Sequence, residues 1–194
     1  MKHSFFVSAA LVAVSALLPA HAATQMWGKT PVVACRDSAA LVSGHDVSRA
    51  TSRDGIANCT TALAGKLNAH DTAATLANRG VLEASMGMSG AAIGDFNEAL
   101  SRDPGAANIY VNRGVAYLKA ARFEEARADF SHALDMNVAD QARVFFDRGV
   151  AEEKLGRVSD AYHDYRWAAN LDPGFKPAAV ELARFSVSPR YASN

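Results

Sequence analysis

Excess charge of either sign is missing from this chain. Its 20 Lys and Arg balance 20 Asp and Glu over 194 residues. With no basic run either, there is no electrostatic case for nucleic acid or an anionic lipid surface as partner. Cysteine is scarce. Cys35 and Cys59 are the only two, 24 positions apart, and with no His pair nearby they do not resemble zinc spacing. Neither a Gly-rich phosphate loop nor a dinucleotide fingerprint is present, so no cofactor is expected. Beyond Leu18 no segment is apolar enough to span a membrane, and stable membrane insertion is not expected.

Two features are present in strength, and the first is the N-terminus. Met1-Lys2-His3 makes a short positive start, Phe5 to Leu18 is a run of 14 almost wholly apolar residues, and Pro19 and Ala20-His21-Ala22 follow. Positive, apolar and small-residue segments in that order form a cleavable secretory signal, here residues 1–22. The rival is a membrane anchor, but 14 residues fall short of the ~20 that a spanning helix needs. Losing Lys2 leaves 19 basic against 20 acidic residues in a mature chain of about 172 residues, near −1 and of one-domain size. Export gives the cysteines meaning, because an oxidising compartment favours joining Cys35 to Cys59 over leaving two free buried thiols. Such a bond closes a loop of about 25 residues, worth roughly 3 kcal/mol.

The second feature is repetition. Asn78-Arg79-Gly80, Asn112-Arg113-Gly114 and Asp147-Arg148-Gly149 recur at intervals of 34 and 35 residues. At fixed offsets after each stand an alanine, a ring and an alanine: Ala92, Phe96, Ala99; Ala126, Phe130, Ala133; Ala161, Tyr165, Ala168. A period in this range marks stacked supersecondary units. Gly80, Gly114 and Gly149 fall in the middle of each first helix, where glycine costs ~1 kcal/mol against alanine. A repeated cost needs a cause, and close approach of the returning helix supplies one. Gly87, Ala121 and Gly156 mark the turn between helices, and Pro104 and Pro173 end the second helix. Repeat two has Val138 there, so its exit is expected to be less sharp. Within the first helices Arg79 and Arg148 stand four before Glu83 and Glu152, and i,i+4 pairs are expected.

These residues resemble the tetratricopeptide repeat family, in three tandem copies over Thr72 to Gly174. The resemblance implies an all-α, right-handed superhelix of stacked antiparallel helix pairs whose first helices line a concave groove. The expected division is a signal at 1–22, an arm and degenerate helix pair at 23–71, repeats at 72–105, 106–139 and 140–174, and a capping helix and tail at 175–194. In the degenerate pair, Gly55 replaces the alanine and Cys59 the ring, with a first helix from Ala34 to Ser43 and a second from Arg53 to Leu67. Asp71 or Thr72 is expected to cap the next helix. The terminal helix, Phe175 to Phe185, is expected to cover Tyr165 and Trp167.

Groove positions carried over from the family are Asn78 and Val81; Asn108, Val111, Asn112, Val115 and Lys119; and Arg143, Phe146, Asp147, Val150 and Lys154. Asn78 and Asn112 can donate and accept toward a peptide backbone, or can bond within the stack. Some members hold a C-terminal carboxylate between Lys, Arg and Asn. Asn112 fits one such place with Arg143 and Lys119 nearby, but Asp147 puts an acid where a cation is wanted. The groove therefore suits an extended segment or an amphipathic helix better. A competing reading is a periplasmic enzyme or an auxiliary subunit of one, using Asp160, His163 and Asp164 for catalysis or weak metal binding, against a solvated helix face. His45-Asp46 beside Ser43 has triad letters without a supporting motif, and His132 is isolated. The expectation is a non-catalytic, exported scaffold, in a bacterial periplasm, that binds another protein or peptide. Self-association through the terminal helix is a further possibility.

Overall fold

The structure, a computed structural model, describes residues 30–43 and 49–187. The chain divides after Thr30, and the account below concerns the unit beginning at Pro31. The expected signal, His45-Asp46 and residues 188–194 lie outside the described residues.

Among the described residues every regular element is a helix: α1 (Pro31–Ser43), α2 (Arg49–Leu63), α3 (Ala69–Ser85), α4 (Ser89–Arg102), α5 (Ala107–Lys119), α6 (Phe123–Asp135), α7 (Gln141–Lys154), α8 (Val158–Leu171) and α9 (Lys176–Val187). Each packs on the next, and first helices also touch, α1 with α3, α3 with α5 and α5 with α7. This is a solenoid of helix pairs.

The mid-helix glycines have the predicted cause. A Cβ on Gly80, Gly114 or Gly149 would lie 2.8, 2.6 or 2.8 Å from a ring carbon of Phe96, Phe130 or Tyr165. Those rings are fully buried, as are Ala92, Ala126 and Ala161 one turn before them. Each ring thus rests on bare backbone of its partner helix, at a contact only glycine permits.

The turns inside the pairs share one geometry. Gly87, Ala121 and Gly156 have φ of 79°, 57° and 78°. The next amide donates back to the helix, Met88 to Glu83 O, Arg122 to Tyr117 O and Arg157 to Glu152 O, all at 2.9 Å. That is the Schellman closure. Repeat two also leaves its second helix this way, contrary to the expected loose exit. Asn137 takes φ 54° and the Val138 amide reaches Ala133 O at 3.2 Å, so asparagine does the stopping where proline is missing.

Other boundaries differ from expectation. The α2 helix starts at Arg49 and ends at Leu63, where the Gly65 amide turns back to donate to Ala62 O at 3.0 Å. Asn68, rather than Asp71 or Thr72, caps α3: its Oδ1 accepts from the Asp71 amide at 2.8 Å. The α1 helix begins at Pro31, a residue suited to the first helical position because it has no amide to leave unbonded. Cys35 and Cys59 form a disulfide joining α1 to α2, both fully buried with Ala39 and Leu82. At the other end α9 covers the last repeat with Phe185 and Leu182 against Tyr165 and Ala161. Trp167 is not beneath it. The residue is 56% exposed, and its ring stacks on Phe145 at 6.0 Å.

Candidate functional site

The twelve groove positions all fall on first helices: Asn78 and Val81 on α3; Asn108, Val111, Asn112, Val115 and Lys119 on α5; Arg143, Phe146, Asp147, Val150 and Lys154 on α7. Since α3 touches α5 and α5 touches α7, these positions make one strip. Asn108, Lys119, Arg143 and Lys154 are exposed, and the other eight are half-buried. Val81, Val111 and Val115 back onto the main core, which leaves part of each side chain on the surface.

Two groove residues are less free than their positions suggest. Phe146 is wedged between Tyr165 and Phe175, each with its ring centre 5.4 Å away, so it belongs as much to the terminal core as to the groove. Lys119 Nζ donates to Ala84 O at 3.1 Å, tying α5 to the end of α3. Asp147 is the electrostatic oddity. Its Oδ2 is buried without a hydrogen bond, and Arg143 Nε is 3.9 Å away. Burial pushes its carboxyl up to about 6; Arg143 opposes the rise and Asp140 adds to it. At neutral pH it stands as a largely ionised acid in the strip.

The expected Arg79–Glu83 and Arg148–Glu152 pairs do not form. Each arginine turns instead to an aspartate on its own second helix. Arg79 Nε and Nη2 meet Asp95 at 2.6 and 2.8 Å, Arg113 meets Asp129 at 2.8 and 2.7 Å, and Arg148 meets Asp164 at 2.8 and 2.7 Å. The carboxylates are nearly buried, and there two parallel charge-assisted hydrogen bonds to one aspartate outcompete a single i,i+4 contact. The third nitrogen bridges to the preceding second helix: Arg79 to Thr60, Arg113 to Asn97 and Arg148 to Ser131. One guanidinium thus fastens three helices, and Thr60 places α2 in register as the preceding repeat. Asp95, Asp129 and Asp164 recur at 34 and 35 residues, a signal that the sequence reading passed over.

This bears on the catalytic alternative. Asp164 is committed to Arg148, whereas Asp160 and His163 lie exposed. Among the described residues no three His, Cys, Asp or Glu side chains are grouped to hold a metal, and no helix is long and apolar enough to cross a membrane.

Stacked antiparallel pairs, each locked by a glycine–ring contact and an Arg–Asp clamp, define a helical repeat scaffold. The tetratricopeptide repeat model matches residues 78–131 and 111–174. The chain belongs to the tetratricopeptide repeat family. No curated protein sequence matches it, but solved structures do. The second TPR domain of human RPAP3, in complex with the HSP70 peptide SGPTIEEVD, is 30% identical, with a TM-score of 0.57 over 60% of this chain and 97% of that one. The first TPR of Spaghetti (RPAP3), bound to the HSP90 peptide SRMEEVD, is 26% identical, with a TM-score of 0.57 over 60% and 92%. The MamA RS-1 ArsTM double mutant has a TM-score of 0.65 over 79% and 82% at 16% identity, a likeness of fold alone.

Proposed function

We propose that this protein is an exported, non-catalytic scaffold of a bacterial cell envelope that binds a protein or peptide segment along the concave groove of α3, α5 and α7. The observation that carries the reading is the strip itself. Three touching helices present half-buried valines and the amides of Asn78 and Asn112 beside exposed Asn108, Lys119, Arg143 and Lys154. Such a surface gives an extended segment apolar pockets and backbone partners at once. It is held by a rigid stack, so little ordering entropy is lost on binding. The peptide complexes of the two RPAP3 domains support the class of ligand. Asp147 argues against capture of a free C-terminal carboxylate, since an acid there repels it. Export rests on the residues 1–22 pattern and on the buried disulfide.

The test is photo-crosslinking in cells from Val115, with Asn97 on α4 as control. One protein caught from Val115 and not from Asn97 is the expected result. Equal capture from both positions refutes groove binding, and recovery of the chain from the cytosol with reduced cysteines refutes export.

A further inference from the structure

The outer face of α8 differs from the same face of the earlier repeats. Positions 163, 166, 167 and 170 carry His, Arg, Trp and Asn, where repeat two has Ala128, Ser131, His132 and Asp135 and repeat one has Gly94, Asn97, Glu98 and Ser101. The repeat scaffold therefore does not require this set. In the inner repeats Asn97 and Ser131 accept from the arginine of the following repeat. Arg166 stands in that place in the last repeat and does something else.

Those four side chains line a hollow of about 210 Å³. Its wall is Trp167, more than half exposed and held flat by Phe145 beneath it, ring planes 21° apart. Phe145 in turn lies under the Arg148 guanidinium, 5.2 Å from its ring centre. The indole is thus a braced platform. Beside it Arg166 makes no ion pair among the described residues, and its guanidinium lies 5.7 Å from the centre of the Tyr162 ring. No carboxylate lines the hollow, and Asp164, beside His163 in the chain, is held by Arg148. An exposed tryptophan beside an unpaired arginine has the composition of an interface anchor.

We propose that this hollow is a docking site, separate from the first-helix groove, for an acidic protein segment that lays an aromatic or aliphatic side chain on Trp167 and a carboxylate on Arg166. Charge complementarity selects that occupant. The lining offers donors and one cation, so a basic segment would leave Arg166 facing like charge.

The test uses the full chain with Trp27→Phe, leaving Trp167 as the sole tryptophan of two. A phage-displayed random peptide library is panned on it, and enriched peptides are measured as labelled probes by anisotropy. Expected are peptides with Asp or Glu beside an aromatic or aliphatic residue that blue-shift Trp167 emission. Trp167→Ala should weaken them about tenfold or more and Arg166→Gln a few-fold, with partial rescue by Arg166→Lys. Asn112→Ala, in the groove, should leave them unchanged. The proposal is overturned if no enriched peptide depends on Trp167, or if those that do are basic. It is equally overturned if Trp167 is already blue and shielded from acrylamide before any peptide is added, because the chain's own ends would then fill the hollow. Peptides sensitive only to Asn112→Ala would support the groove and refute this site.

Discussion

Glu83 is buried and its Oε2 has no hydrogen-bond partner. Comparison with the other repeats shows why. The equivalent Glu152 lies 3.5 Å from Arg157 and 3.9 Å from Arg127, and the equivalent Tyr117 has Arg122 over its ring at 4.6 Å. The positions of Arg157 and Arg127 are filled by Met88 and Ile56 around the first repeat. With both cations gone, burial pushes the Glu83 carboxyl from 4.5 to about 7; Asp95 adds to the rise and Arg79 opposes it. The consequence for stability has a definite sign. Below about pH 4.5 folded and unfolded chains both hold the proton, and nothing is lost. Between 4.5 and 7 the unfolded chain has released a proton that the folded chain keeps, so stability falls as pH rises. At 1.36 kcal/mol per pH unit the penalty above pH 7 approaches ~3 kcal/mol as an upper limit, less where water relieves it. Glu83→Gln is neutral at every pH. It should match the wild type at pH 4.5 and exceed it by about 2 kcal/mol at pH 8, read from urea unfolding at half-unit steps. Subtracting the two curves removes Asp147 and Glu152, which titrate in both proteins. A difference that is flat with pH, or a variant weaker at pH 8, would refute the reasoning.

Asp129→Ala should cost about 3 kcal/mol, because it strands the Arg113 guanidinium in a partly buried place; chemical denaturation measures it, with Arg113→Met plus Asp129→Leu regaining much of the loss. Gly114→Ala puts a methyl 2.6 Å from Phe130 Cε1, and with that ring unable to move it should destabilise by roughly 2 kcal/mol. Ala121→Gly relieves a φ of 57° at an exposed turn and should stabilise by about 1 kcal/mol, a rise of ~2–4 °C in the melting temperature.

The periodic part of the architecture was open to reading because each repeat meets nearly the same neighbours. A ring in one copy predicts the role of a ring in the next. The Arg–Asp clamp was equally periodic, but the four-residue Arg79–Glu83 spacing suggested a local partner. The better partner lies 16 residues on, across a turn. Geometry decides between them, since only the cross-helix carboxylate meets the guanidinium edge-on with two hydrogen bonds. Glu83 was hidden for the opposite reason. Its environment depends on Ile56, in a segment whose helix could be placed only to within four residues at either end. Sequence alone puts Trp167 beneath the terminal helix because both are apolar, yet α8 turns Tyr165 toward Phe185 and leaves Trp167 facing outward.

The two ends of the stack meet one problem by different means. An inner pair is sealed on both sides by its neighbours, and a terminal pair on one side only. At the C-terminus α9 supplies the missing cover, with Phe185 and Leu182 on the last ring, and Phe175 just before it lies against Phe146. At the N-terminus the pair α1–α2 has a small core of Cys35, Ala39, Cys59 and Leu82 with Ile56. Polar ties to repeat one include Ser52 with Ser85 and Arg79 with Thr60. With so small a core among the described residues, the disulfide carries a large share of the restraint on α1. Removing it by Cys35→Ser with Cys59→Ser should lower the stability of that pair by about 3 kcal/mol, a fall of ~150-fold in hydrogen-exchange protection. In a chain of nearest-neighbour contacts the loss stays local: α1, α2 and the Leu82 end of α3 lose protection, while α5 to α8 keep theirs. A uniform fall from α1 to α9 would mean that the stack unfolds as one cooperative body, and the division of labour between its ends would have to be abandoned.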